Sequence, residues 1–303
     1  MEEKIKSLTA ISRKFKNLIN NKLMVNKLIN NNFNLKEMKK VIVFFAVMAN
    51  AAIIFAQQPQ QQQGQQQAQQ QRPPSWNAAS TEWYTPVPPK VQPGVGTKPP
   101  SDAVILFDGT DLSKWESQNA PTERGRRRDP APWKIVNGEM RVVPGSGGIQ
   151  TKEYFGDCQL HIEFKSPAPE NHSGQNRGNS GIFLQDNYEV QVLDGDNNPT
   201  YVNGMVGSIY KQSAPSVDAY TKNGEWQIYD IYWKAPVFDS NGLVSPAMIT
   251  VVLNGILIQN HFILKGDTPY TGMPKYTPHG RLPLSLQDHG TEVAFRNIWI
   301  RNL

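Results

Sequence analysis

The sequence contains one cysteine, Cys158, among its 303 residues. A single cysteine excludes any disulfide within the chain, so a folded domain must be held together by its own hydrophobic core. Because buried cysteines behave as small apolar side chains, we interpret Cys158 as a core residue rather than as a nucleophile.

No apolar run reaches the roughly 20 residues that a membrane-spanning helix needs. The run that comes nearest has 16 residues, Val41–Ala56, and it follows the short basic segment Met38-Lys39-Lys40. This pattern is typical of a secretory signal peptide, which we place at residues 38–56 with cleavage after Ala56. Residues 1–37 are expected to result from an upstream start codon that was wrongly chosen, an unusually long basic n-region of the signal peptide being the alternative. A retained membrane anchor is the other interpretation of the run.

The sequence also has little net charge outside its leader. The whole chain carries a formal net charge of +5, whereas residues 1–40 alone hold ten basic and three acidic residues, 10 − 3 = +7. The remainder is therefore 5 − 7 = −2, which argues against a nucleic-acid partner for the folded part. No membrane partner is expected after signal cleavage, and the oligomeric state is left open.

Residues 57–100 are dominated by glutamine and proline. The tract Gln57–Pro74 has almost no charge and few apolar side chains, so it cannot offset the entropy lost on ordering. Proline then recurs through residues 75–100. We expect a disordered linker over 57–100 that leads into one domain at 101–303.

Segments with a helical period of 3.6 residues are absent from residues 101–303. Instead, the sequence has short stretches of alternating apolar and polar residues, separated by turn residues. Asn137-Gly138 and Asn254-Gly255 are strong hairpin signals. A third hairpin is expected to turn at Asp186-Asn187. About ten such strands indicate an all-β fold, a two-sheet antiparallel sandwich or a barrel.

Three of these stretches share one design, with aliphatic residues on one face and glutamate, glutamine or histidine on the other. They are QLHIEFK, YEVQVL and LSLQDHG. A solvated outer face is the plain interpretation of each. Glutamine and histidine are nevertheless unusual there, and a concave sugar-binding face on these three strands accounts for them better.

Several collinear motifs across residues 102–303 resemble the 3-keto-disaccharide hydrolase family. The motifs are LFDGTDLSKW, GGIQTKEYFGDCQLHIEF, GNSGIFLQDNYEVQVLD, GEWQIYDIYWKAPVFD, ITVVLNG and LQDHG followed by FRNIWIR. The resemblance implies a concanavalin-A-like jelly roll of two antiparallel sheets. It also implies a bacterial enzyme, exported to the periplasm or the medium, that cleaves 3-keto-glucosides by elimination and hydration.

The chemistry of a 3-keto sugar suits the polar residues of this face. The ketone acidifies the hydrogen on C2, so a base, an acid for the leaving oxygen and groups that hold the enolate suffice. We expect Glu189 and His289 to be catalytic, either of them serving as the base. Substrate binding is expected from the following residues: Arg177, Asn179, Gln191, Glu163, Asp288 and Tyr210. For Asp288, capping the turn at Gly290 is the alternative.

No cofactor is required by this chemistry. A divalent metal held by His289, Glu189 and Glu163 is left open, although no spaced ligand motif is present.

Two other functions remain open from the sequence. The same fold can carry a non-catalytic lectin-like domain that binds a small carbohydrate. A direct glycosidase would need two carboxyl groups, and residues i and i+2 of a strand lie about 6.5 Å apart. The second position of that pair is the amide Gln191, which disfavours direct hydrolysis unless Glu163 is the partner.

Overall fold

The computed structural model describes residues 78–118, 129–168 and 172–303. The leader, the signal peptide at 38–56 and the glutamine-rich part of the linker lie outside these ranges, so those assignments stay predictions. Within the described residues, no helix is long and apolar enough to cross a membrane.

The chain divides into two compact units, Met1–Pro88 and Pro89–Leu303. Of the first unit, the described part contains a 3-10 turn at Ala78–Thr81. Residues 89–100, which the sequence analysis assigned to the linker, lie within the second unit. There the Thr97 carbonyl accepts hydrogen bonds from Asn297 Nδ2 at 2.9 Å and Trp299 Nε1 at 3.1 Å.

The described part of the second unit contains fifteen strands and two further 3-10 turns, at Gly174–Asn176 and Val202–Gly204. The strands are β1 (Val104–Phe107), β2 (Trp115–Ser117), β3 (Lys134–Val136), β4 (Glu139–Arg141), β5 (Ile149–Phe155), β6 (Cys158–Lys165), β7 (Ser180–Leu184), β8 (Tyr188–Val192), β9 (Gln227–Lys234), β10 (Val237–Asp239), β11 (Gly242–Ser245), β12 (Met248–Leu253), β13 (Ile256–Ile263), β14 (Leu282–Leu286) and β15 (Ala294–Asn302).

These strands form two sheets and a separate hairpin, all antiparallel. The large sheet has the order β13-β12-β9-β6-β15-β4-β3, with β1 also pairing with β15. The smaller sheet has the order β2-β5-β14-β7-β8, and β10 pairs with β11. This architecture confirms the predicted all-β sandwich of two antiparallel sheets.

The hairpin turns follow from residues that tolerate a left-handed backbone. Asn137-Gly138 has φ angles of 54° and 76°, and Asn254-Gly255 has 52° and 81°, as two-residue hairpin turns require. Between β7 and β8 the left-handed residues are Gln185 and Asp186, one position earlier than predicted. Asn187 instead donates its side-chain amide to the Gln185 carbonyl at 2.7 Å and so closes this turn.

The core fills the space between the two sheets. Leu160, Ile162 and Phe164 of β6 are fully buried there, and Val190 and Val192 of β8 are buried in the same core. Because successive side chains of a strand point to opposite faces, the polar residues between them lie on the outer faces of the two sheets. The alternation of apolar and polar residues along these strands thus places the core residues inside the sandwich and the candidate site residues on its outer faces.

The three polar stretches do not share one sheet, and that expectation was wrong. Strands β8 and β14 belong to the smaller sheet, whereas β6 lies in the large sheet between β9 and β15. Since the apolar faces of β6 and β8 meet in one core, their polar faces look outward on opposite sides of the sandwich. Glu163 of β6 therefore lies on the far side from Glu189 of β8.

We expect Ile162→Ala to lower the free energy of unfolding by about 2–5 kcal/mol, because it removes a fully buried side chain and leaves a cavity between the sheets. Ile263→Ala is the matched control, since Ile263 on β13 is half exposed and should cost much less. Urea unfolding of both variants measures the difference. Equal destabilisation of the two variants would contradict the assigned core.

Candidate active site

A pocket of about 490 Å³ lies on the outer face of the smaller sheet. Strand β7 and the loop before it contribute Asn179 and Phe183, β8 contributes Glu189 and Gln191, and the loop after β14 contributes His289. Two further loops contribute tyrosines to its rim. The pocket therefore brings together five of the eight predicted site residues: Glu189, His289, Asn179, Gln191 and Tyr210.

Glu189 is the one acidic residue among the twelve described residues that line this pocket. Its side chain is 5% exposed, and burial raises the pKa of the carboxyl to about 8. No hydrogen bond between its carboxylate and another described side chain offsets that burial. The carboxyl group has room here because residue 181 on the neighbouring strand is a glycine. A Cβ at Gly181 would lie 2.5 Å from Glu189 Oε1.

A chain of amides fixes the orientation of Gln191, which is also buried. Gln191 Nε2 donates to Asn179 Oδ1 at 3.2 Å and to Gln175 Oε1 at 3.4 Å. Gln175 Nε2 in turn donates to Thr200 Oγ1 and to the Gly204 carbonyl, each at 2.8 Å. The Gln191 Oε1 atom has no hydrogen-bond partner among the described residues. A buried acceptor of this kind is suited to a hydroxyl group of a ligand.

The segment after β14 continues the pairing with β7 and places two side chains at the pocket. The Gln287 backbone donates to the Gly181 carbonyl at 3.1 Å, and its own carbonyl accepts from Ser180 Oγ at 2.7 Å. Gln287 and the exposed His289 then line the pocket.

Asp288 does not line this pocket. Its two carboxylate oxygens accept backbone hydrogen bonds from Gly147 and Gly290, each at 2.9 Å. Asp288 therefore caps the turn and anchors it to the loop before β5, which is the structural alternative for this residue. The substrate-binding role predicted for Asp288 has no support from its position.

Arg177 is likewise placed elsewhere. Its Nε donates to Asp194 at 2.8 Å, its Nη2 donates to the Asp196 carbonyl, and Asp194 is fully buried. Because a buried carboxylate needs a charged partner, the guanidinium is committed to Asp194 rather than to a ligand. The sequence prediction for Arg177 missed this partner, which lies seventeen positions away.

Glu163 is surrounded by donors on the outer face of the large sheet. Arg296 Nε contacts it at 2.6 Å, and Asn297 Nδ2 donates to it at 2.9 Å. Burial alone would raise the pKa of this carboxyl, but the hydrogen bonds from His161, Asn297 and Arg296 lower it to about 2. Glu163 is thus an ionised structural carboxylate and not a partner for Glu189.

Tyrosines that carry no periodic signal in the sequence form the rim of the pocket. The hydroxyls of Tyr201 and Tyr210 lie 2.8 Å apart, and burial together with this hydrogen bond raises the pKa of Tyr210. Tyr270 is largely exposed, and the Lys211 ammonium lies 4.2 Å from its ring centroid. Exposed aromatic faces beside amide groups can pack against the C–H faces of a sugar.

The described residues contain no cluster of three or more histidine, cysteine, aspartate or glutamate side chains arranged for a metal ion. The trio considered from the sequence, His289, Glu189 and Glu163, is divided between the two outer faces of the sandwich. Those three residues therefore cannot share one ion.

Comparison with known proteins places this geometry in a family. A crystal structure of a candidate glycosyl hydrolase from Parabacteroides distasonis ATCC 8503 is 46% identical, with a TM-score of 0.70. The match covers 77% of this chain and 99% of that one. A second such structure from the same organism is 19% identical, with a TM-score of 0.50, covers 67% and 94% of the two chains, and supports the fold alone.

A search of curated proteins found no match. Residues 102–301 match the family described as a 3-keto-alpha-glucoside-1,2-lyase-like domain. This range contains every residue of the pocket and all of both sheets except Asn302 at the end of β15, and the 46% identical structure is itself described as a candidate glycosyl hydrolase. The chain therefore belongs to the 3-keto-alpha-glucoside-1,2-lyase-like family of carbohydrate-active proteins.

Proposed function

We propose that this chain cleaves 3-keto-glucosides by elimination across C1 and C2, followed by hydration of the product. The observation that carries the proposal is the isolated, desolvated carboxyl of Glu189, with no second acidic residue among the described lining residues. Direct glycoside hydrolysis ordinarily needs a pair of carboxyl groups. Elimination next to a ketone needs one acid, one base and a stabilised enolate.

Glu189 is suited to the role of the acid. Because burial raises its pKa to about 8, most of the carboxyl is protonated at neutral pH. A protonated carboxyl can donate its proton to the glycosidic oxygen as the C1–O bond breaks. This assigns one of the two roles that the sequence left open between Glu189 and His289.

His289 is then the base. Its exposed imidazole lies at the pocket, and histidine is the side chain that most often serves as a general base. It takes the hydrogen on C2, and the electron pair moves onto the C3 oxygen as an enolate. The enolate returns that pair to form the C1–C2 double bond, and the alcohol leaves from C1 with the proton of Glu189.

Hydration reverses the two roles. The Glu189 carboxylate left by the first step accepts a proton from water, whose oxygen adds to C1 of the unsaturated ketone. The resulting enolate takes the proton on His289 at C2, which restores both residues and gives the 3-keto sugar. The sum of the two steps is hydrolysis, with every proton returned.

Amides in the pocket can stabilise and orient the sugar during these steps. The side-chain amide of Gln287 has no hydrogen bond to another described residue, and it lines the pocket together with His289. Its N–H groups are therefore candidates for the enolate oxygen, where fixed donors contribute most to catalysis. Gln191 Oε1 would accept a hydrogen bond from a sugar hydroxyl.

Export of the enzyme remains a proposal that rests on residues 38–56.

The raised pKa of Glu189 predicts how Glu189→Gln changes stability with pH. The folded protein holds this proton up to about pH 8, whereas the unfolded chain releases it near the ordinary value of 4.5. The unfolded state therefore binds fewer protons in that window, and wild-type stability falls as pH rises through it. Between those pH values we expect the free energy of unfolding of Glu189→Gln, relative to that of the wild type, to rise by up to about 1.4 kcal/mol per pH unit.

Chemical unfolding at several pH values measures this difference. Glu225→Gln is the matched control, since Glu225 is exposed, lies outside the pocket and should show no such trend. A constant offset between Glu189→Gln and wild type from pH 4.5 to 8 would show that the carboxyl is not held protonated.

The reaction itself is tested with oxidised and unoxidised substrates. We expect the enzyme to cleave a 3-keto-disaccharide, to leave the parent disaccharide intact, and to incorporate solvent deuterium at C2 when the reaction runs in deuterium oxide. Mass spectrometry and NMR of the product measure both results. The 3-keto sugar product incubated with Glu189→Gln in deuterium oxide gives the background exchange.

Cleavage of the parent disaccharide at a comparable rate would instead establish a direct glycosidase. Binding of the sugar without turnover of either form would establish a lectin-like domain. For the proposed enzyme, Glu189→Gln should retain affinity for the 3-keto-disaccharide and lose turnover by about 100-fold or more, the scale expected for a general acid.

A further inference from the structure

A second, smaller pocket of about 320 Å³ lies beside the candidate active site. We call it the side pocket. Tyr210 lines both pockets and forms the wall between them. Neither the sequence motifs nor the proposed reaction assigns a role to the side pocket.

The side pocket lies beyond the outer edge of the smaller sheet. Strand β8 is the last strand of that sheet, and the segment 207–210 hydrogen-bonds to its free edge. The Gln191 backbone donates to Ser208 at 3.0 Å, and the Tyr210 backbone donates to Glu189 at 3.2 Å. A ligand that crosses the sheet edge from His289 toward the side pocket therefore passes Glu189 and then Tyr210.

Gln212 holds the two loops of the side pocket together. Its Nε2 donates to the carbonyls of Gly266 and Asp267 at 2.9 and 2.8 Å, and its Oε1 accepts from the Lys265 backbone at 2.8 Å. Because one side chain fixes both walls, the pocket has a defined shape before any ligand binds.

The lining of the side pocket is apolar and cationic. Pro269, Pro274 and Met273 form apolar walls, and the Met273 side chain is 83% exposed. Lys211 and Lys265 also line it, and none of its nine described lining residues is acidic. The Lys211 ammonium donates to the Tyr270 carbonyl, whereas that of Lys265 has no partner among the described residues. An exposed methionine beside a free ammonium suits an apolar group that carries a negative charge.

We propose that the side pocket is the leaving-group subsite, and that it selects glycosides whose aglycone is a flat apolar group bearing a carboxylate. This inference rests on the proposed function, in which the sugar occupies the main pocket. The position of the side pocket agrees with the role of Glu189, because the residue that protonates the leaving oxygen must lie between the sugar and the aglycone.

Three 3-keto-glucosides with methyl, benzyl and 4-carboxybenzyl leaving groups test the inference. All three release an alkyl alcohol, so the intrinsic reactivity of the leaving group changes little across the series. We expect KM to fall from methyl to benzyl and again to 4-carboxybenzyl. Met273→Ala should reduce the benzyl advantage by about 3- to 10-fold, because the substitution takes away apolar surface on which the benzyl ring packs.

Lys265→Ala should reduce the additional advantage of the carboxylate by about 2- to 5-fold, as expected for an exposed ion pair, and added salt should weaken it in the wild type. Lys222→Ala is the matched control, since Lys222 is exposed and lines neither pocket. Equal KM values across the three substrates, or equal effects of Lys265→Ala and Lys222→Ala, would overturn the assignment.

Calorimetry with the unoxidised methyl and 4-carboxybenzyl glucosides separates this inference from the reaction. A preference for the 4-carboxybenzyl compound that depends on Met273 and Lys265 supports the subsite even where no 3-keto-glucoside is cleaved. Cleavage of the methyl 3-keto-glucoside without any such preference supports the proposed function and overturns the subsite.

Discussion

The two-residue period of strand β8 is the constraint on which both the core and the site depend. Tyr188, Val190 and Val192 fill the space between the sheets, and this fixes Glu189 and Gln191 on the outer face. A slip of one residue in the pairing with β7 would exchange the two sets and bury a carboxyl in the core. The apolar residues that stabilise the sandwich therefore also hold the Glu189 carboxyl in place.

Two glutamates on opposite outer faces show what sets the chemistry of each. Glu189 and Glu163 are 5% and 3% exposed, yet their pKa values are raised to about 8 and lowered to about 2. Both side chains are nearly inaccessible to solvent, but only Glu163 has hydrogen-bonding partners that favour its charged form. Arg296 lies 2.6 Å from Glu163, whereas the described lining of the Glu189 pocket offers no hydrogen bond to its carboxylate. The Glu189 carboxyl has a raised pKa because no cation in the described lining of the pocket stabilises its charged form.

Local patterns predicted the strands, the Asn-Gly turns and the outward direction of Glu189, because alternation and turn chemistry depend on neighbouring residues. The assignment of strands to sheets depends on distant pairing. Strand β6 carries the same polar alternation as β8, and only its pairing with β9 and β15 puts Glu163 on the other sheet. Loop residues carry no period, so Tyr201 and Tyr270 of the rim were not predicted from the sequence, whereas Tyr210 was.

The segment 207–210 joins edge protection to site formation. An unpaired edge strand invites association with other chains, and this segment covers the edge of β8 with backbone hydrogen bonds. The same placement holds the Tyr210 backbone against that of Glu189 and puts Tyr210 in the lining of both pockets. Gln212, two residues after this segment, hydrogen-bonds to the loop around Lys265. A change in the length of either loop would therefore alter the shape of the side pocket and leave the strand pairing of both sheets unchanged. Under the roles proposed for Glu189 and the side pocket, selectivity for the leaving group can therefore vary within this fold without a change in the acid.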